Sequence, residues 1–113
     1  MRRLDTRIVS ARIAEAAIRK ALGLPYSLDS IPPSLRDAAE LAIERVAGEL
    51  VFSDEKGILR CSLCGKGPFT RKGLYLHIKR VHFEAVEEQV EKIFRELLWS
   101  GRVKEETVGA TNN

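Results

Sequence analysis

Cys61 and Cys64 are the only cysteines of the 113-residue chain, and His77 and His82 are its only histidines. Their spacing is Cys-x2-Cys-x12-His-x4-His. Two residues between the thiols make a tight turn that aims both sulfurs at one point, and Gly65 can take the positive φ that closes such a turn. The intervening dozen residues suffice for a short hairpin and the first turns of a helix, whose two imidazoles would complete a tetrahedral shell. A disulfide would require an oxidising compartment. A Cys-x-x-Cys redox pair needs no histidine partners, and a Cys–His nucleophile pair would leave two of the four residues unexplained. The expectation is therefore one structural Zn²⁺ on Cys61, Cys64, His77 and His82. Four protein ligands leave no open position for water, so the metal would fold its segment and catalyse nothing.

All four candidates lie inside a basic island. The net charge is +3, but this is a cancellation: residues 1–34 carry +3, residues 35–55 carry −4, residues 56–82 carry +7 with no acid, and residues 83–113 carry −3. Two thiolates neutralise a divalent ion, so the metal leaves the island's charge intact. An uninterrupted cationic stretch favours a polyanion, of which nucleic acid is the commonest. The composition, 44% hydrophobic and 31% charged, is that of a globular chain. No apolar run is long enough to span a bilayer, and Met1-Arg2-Arg3-Leu4-Asp5 has no signal-peptide pattern, so an intracellular protein is expected. Gln89 is the only glutamine and Asn112 and Asn113 the only asparagines, a depletion of thermolabile amides that points towards a thermophile.

The stretch Ile58-Leu-Arg-Cys-Ser-Leu-Cys-Gly-Lys-Gly-Pro-Phe-Thr-Arg-Lys-Gly-Leu-Tyr-Leu-His-Ile-Lys-Arg-Val-His82 resembles the C2H2 zinc-finger family, in particular the nucleic-acid-binding fingers of some retrotransposon and archaeal viral proteins. The resemblance implies a finger core of Phe69 and Leu74. Pro68 stands where the family places its aromatic and Phe69 follows one residue later, which implies an altered hairpin. Counting back from His77, the resemblance places the base-reading positions on Thr70, Lys72, Gly73 and Leu76. Glycine has no side chain and leucine offers only apolar contact, so Lys72 alone could bond a guanine. Arg60, Lys66, Arg71, Lys79 and Arg80 suit phosphates better than bases.

The rest of the chain must position this segment, and it reads as helices. The first is expected over residues 5–22, capped by Asp5, with a stripe of Leu4, Ile8, Ala11, Ile18 and Leu22 widened by Val9, Ile13 and Ala17, and a stop at Gly23. A proline-rich connector follows. Ser34, with Asp37 three residues on, is expected to cap a second helix whose buried face is Leu35, Ala38, Ala39, Ala42, Val46 and Leu50. Val51-Phe52 and Ile58-Leu59 would flank a turn at residues 53–57 and feed the cysteine knuckle. The metal-binding helix should begin near Thr70. His82 lies five positions after His77, an advance of about 500° in an α-helix, which predicts a 3₁₀ or π distortion near Val81. Beyond it Phe83, Val86, Val90, Ile93 and Leu97 form a seam. Its simplest reading is internal core, and the other is a homodimer or protein-partner face. Gly101 should end this helix.

These elements predict a mostly α protein: an N-terminal helical region (1–53), an embedded ββα finger (54–83), a C-terminal helix (84–101) and a loose polar tail (102–113). No enzyme is expected, because no histidine remains to act as a base, no glycine-rich phosphate loop is present, and Glu87, Glu88 and Glu91 read as a solvated face. The function expected is zinc-dependent nucleic-acid binding through Arg60, Lys66, Thr70, Arg71, Lys72, Lys79 and Arg80, with DNA favoured over RNA and a role in transcription regulation. The alternative is a protein-binding adaptor or ribonucleoprotein component in which zinc is only a brace.

Overall fold

Apolar residues at three- and four-residue intervals over most of the chain dictate helices, and helices bury their stripes most readily against each other. The computed structural model describes residues 6–111, with side chains for residues 7–99. Helix α1 spans Thr6–Ala21. After a connector and a 3₁₀ turn at Pro33–Leu35, α2 spans Arg36–Ala47. A two-stranded antiparallel sheet follows, β1 (Val51–Ser53) and β2 (Leu59–Cys61). Helix α3 (Arg71–His77) then passes through a π turn at Ile78–His82 into α4 (Phe83–Thr111). Helices α1, α2 and α4 pack pairwise.

The core combines Val9, Ile13, Ala14, Ala17 and Ile18 of α1, Ala39, Ala42, Ile43 and Val46 of α2, and Val86, Val90, Ile93 and Phe94 of α4. Leu74, Ile78 and Cys61 belong to the same cluster. The alanines let the helix axes approach closely. The late seam is thus internal: Val86, Val90 and Ile93 are buried, with Phe83 and Leu97 packed at the margin. Val86, Val90 and Ile93 are occupied by the body.

Several boundaries differ from the sequence reading. The α1 stripe is centred on Val9, Ile13 and Ala17, while Ile8 is exposed, because α1 is covered from two sides and the widening residues lie between its neighbours. Asp5 lies outside the described residues. Ser34 makes no cap: the prolines before it start a 3₁₀ turn, α2 begins after Leu35, and no side-chain cap bond is made there. Gly101 does not end the last helix, which continues to Thr111. A single internal glycine costs a helix only about 1 kcal/mol, and Lys104, Glu105 and Glu106 are good helix formers. The expected polar tail is therefore helical as far as Thr111, and Asn112 and Asn113 lie outside the described residues. Gly23 does stop α1, with φ of 71°.

One polar knot holds α3 to α1. Glu15 is the only acid of α1. It accepts hydrogen bonds from Tyr75 Oη, from Lys79 Nζ, and from Arg19 Nε at 2.7 Å. Burial raises its carboxyl pKa, but the bonds from Lys79, Tyr75 and Arg19 outweigh that and lower it from 4.5 to about 2. A depressed folded-state pKa adds stability above the unfolded value, and that stability disappears as pH falls through the folded one. Glu15 therefore stabilises the protein above pH 4.5 and ceases to do so as the pH falls to about 2. Glu15→Gln should cost about 1 kcal/mol at neutral pH after solvent screening, and should flatten the acid limb of a stability–pH curve measured by urea denaturation. An unchanged acid limb would remove the knot from the account of stability.

Candidate metal centre

The site is built from two tight local structures. On the first side, β2 ends at Cys61, whose amide donates to Lys66 O (2.9 Å) while Gly65 N donates to Cys61 O (2.7 Å). Gly65 has φ of 76°, the left-handed turn that the spacing requires. Ser62 N donates to Leu50 O at 3.0 Å, which fastens the knuckle to the turn that joins α2 to β1. The sheet lies before the knuckle: Val51 pairs with Cys61, Phe52 with Arg60 and Ser53 with Leu59. After the knuckle the returning chain makes a single bridge, Leu59 with Phe69, so the strand expected on that side is reduced to one pair.

The second side is a helix. Thr70 caps α3, its hydroxyl accepting from Gly73 N at 3.0 Å. Along an α-helix, five residues overshoot one full turn by about 140°, which would swing His82 away from His77. The π turn at Ile78–His82, with its i→i+5 hydrogen bonding, inserts an extra residue and returns position 82 to the face of position 77. The two rings meet edge to face with centroids 5.0 Å apart. Phe69 stacks on His77 at 4.8 Å and Leu74 is fully buried beneath, so both expected core residues support the site.

The four ligand atoms of Cys61, Cys64, His77 and His82 all lie within 4.8 Å of one another, and Cys64 Sγ is 3.4 Å from His77 Nε2. One ion with bonds of about 2.0–2.3 Å spans such a cluster after small shifts. The fit is supported by an orphan: His82 Nε2 is buried and has no hydrogen-bond partner, a state that is costly in the absence of a ligand. Burial, and then the neighbouring His77 and Lys66, push the His82 pKa down, which favours the neutral imidazole that a metal binds. Burial pushes the Cys61 thiol up, with backbone hydrogen bonds of Cys64 and Leu63 opposing; a bound cation would reverse that preference. The cluster can hold one metal ion with two sulfurs and two nitrogens.

The expected phosphate-binding residues divide. Lys66, Arg71, Lys72 and Arg80 are exposed. Arg60 instead pairs with Asp54 at 3.0 Å, and Lys79 is bound to Glu15 in the polar knot. Thr70 is occupied by its cap. Glu15 and Tyr75 had no role in the sequence reading, and the one available sign was a lone acid in an otherwise basic helix. No helix among the described residues is long and apolar enough to cross a membrane. Comparison with protein-family models, with curated proteins and with solved structures finds no match to this chain.

The chain should bind one divalent ion per molecule in a metal titration, and Cys61→Ser or His82→Ala should abolish that stoichiometry. Ligand present at a thousandfold excess over its dissociation constant stabilises by about 4 kcal/mol. Chelation should therefore lower the melting temperature of the whole helical body, because Cys61, Leu74 and Ile78 are part of its core. A melting curve indifferent to chelator would show that the cluster holds no ion.

Proposed function

We propose that this chain is a zinc-dependent nucleic-acid-binding protein, acting most simply on DNA as a transcription regulator. The carrying observation is the exposure of Lys66, Arg71, Lys72 and Arg80 on the segment that carries the Cys61/Cys64/His77/His82 cluster and contains no acidic residue from position 56 to 82. Two thiolates with two imidazoles in a closed shell suit zinc, and the resemblance to C2H2 fingers favours DNA. Bound at Cys61, Cys64, His77 and His82, the ion would supply folding energy and rigidity.

The binding mode is a grip on phosphates with little base readout. Of the four positions that resemblance assigns to base reading, Thr70 is committed to Gly73 N, Gly73 has no side chain and Leu76 is half-buried. Lys72 alone is free to reach a base edge. Leu74 and Ile78 are buried in the core and Tyr75 binds α1, so α3 is anchored both to the core and to α1. A helix held in this way presents Lys72 and Arg80 outward while its other faces serve the fold.

Binding of fluorescent duplex DNA and of RNA, followed by anisotropy over a salt titration, tests this. Arg71→Ala with Lys72→Ala should weaken binding about tenfold or more at low salt and reduce the log–log salt slope by about 2. Wild-type affinity and slope in the double variant would sink the assignment. Absence of binding to every probe would favour the protein-binding alternative.

A further inference from the structure

The fold brings together two basic stretches that are far apart in sequence. Helix α1 carries Arg19 and Lys20 in its last turn and is followed by the exposed Gly23. The start of α3 lies against that end: the Arg71 guanidinium is 3.9 Å from where a Cβ on Gly23 would sit. The Arg19 guanidinium lies 5.4 Å from the centre of the Tyr75 ring. Glu15 holds Arg19 and Lys79 in the polar knot, which leaves Lys20 at the end of α1 and Arg71 and Lys72 at the start of α3 as exposed cations. Lys20 is carried over the Tyr26 ring, 5.9 Å from its centre. Cations gathered in this way repel one another, and a polyanion that neutralises both sides removes the repulsion.

We propose that the last turn of α1 is part of the nucleic-acid surface, with Lys20 binding a phosphate beside those gripped by Arg71 and Lys72. This rests on the nucleic-acid reading above. The backbone of the polyanion crosses from the start of α3, where the Arg71 guanidinium lies beside Gly23, on to α1. A single finger of the C2H2 type covers about three base pairs. A surface continued on to α1 is longer, and it fixes the angle between the polyanion and the helical body.

The discriminating experiment measures the salt dependence of binding to a short random-sequence DNA duplex for Lys20→Ala, Lys20→Arg, Lys20→Glu, the Arg71/Lys72 double alanine variant and Lys92→Ala. Lys92 is exposed on α4 beside Glu88, Glu91 and Glu96 and serves as the remote control. Lys20→Ala should weaken binding several-fold and reduce the salt slope by about 0.9. Lys20→Arg should retain the slope, Lys20→Glu should weaken binding further, and Lys92→Ala should leave it unchanged. Thermal melts matched to wild type show that each variant is folded, as expected for exposed positions. A wild-type slope in Lys20→Ala, with weakened binding in the Arg71/Lys72 variant, overturns the α1 surface and leaves the nucleic-acid reading standing. A wild-type slope in both overturns both.

Discussion

Two constraints meet on one stretch of helix, and the rest of the structure follows from their reconciliation. His77 and His82 must face one point, although five residues of α-helix would turn them apart. Leu74, Ile78, Val86 and Val90 must all face the core, although they lie on both sides of the histidine interval. A regular α-helix cannot satisfy both conditions, and the π turn at Ile78–His82 does. It adds one residue to one turn, which rephases the helix so that the imidazoles converge on Cys61 and Cys64 while the apolar stripe resumes in α4. Such turns weaken the local backbone bonding, and they are found where a function requires the extra residue.

That rephasing also makes the metal cluster and the helical body one object. Ile78 lies inside the π turn and is fully buried in the core of α1 and α2, and Cys61 is buried beside it. The knuckle is fastened to the turn that joins α2 to β1 through Ser62 N and Leu50 O, and α3 is fastened to α1 through Glu15. The arrangement therefore differs from a tethered module: the cluster has too small an apolar set of its own, essentially Phe69 and Leu74, and borrows the rest from the bundle.

The parts legible in the sequence were those governed by local chemistry. The Cys61/Cys64/His77/His82 spacing, the positive φ at Gly65, the helix start near Thr70 and the distortion near Val81 each follow from constraints within a few residues. The core seam of α4 was legible because its period persists over several turns. What depended on packing was not. Ile8 looks as buried as Ile13 until the neighbours of α1 are known. Ile43 and Ala47 on α2 are buried because that helix is covered more broadly than one stripe. Ser34 has the right type for a cap, but Pro32 and Pro33 set the backbone before it can act. The partners of Arg60 and Lys79 lie 6 and 64 residues away in sequence, so their loss to ion pairs is visible only in the fold.

Those ion pairs alter what the basic island means. As a sequence it is seven cations between two acidic segments. In the fold two of the seven are answered by Asp54 and Glu15, and both pairings are structural: one closes the β1–β2 turn and the other docks the π turn on α1. The acids of α4 lie elsewhere, with Glu84, Glu87, Glu88 and Glu91 grouped around Arg7 and Ser10 near the start of α1. Because α4 runs antiparallel to α1, the acidic group lies towards one end of the bundle and the metal cluster with Lys66, Arg71, Lys72 and Lys20 towards the other. The packing of α4 on α1 thus holds the Glu84–Glu91 group apart from the cations beside the cysteine–histidine cluster. The helix packing that buries Val86 and Ile78 therefore also sets that separation, since the direction of α4 relative to α1 decides where these two groups of charges sit.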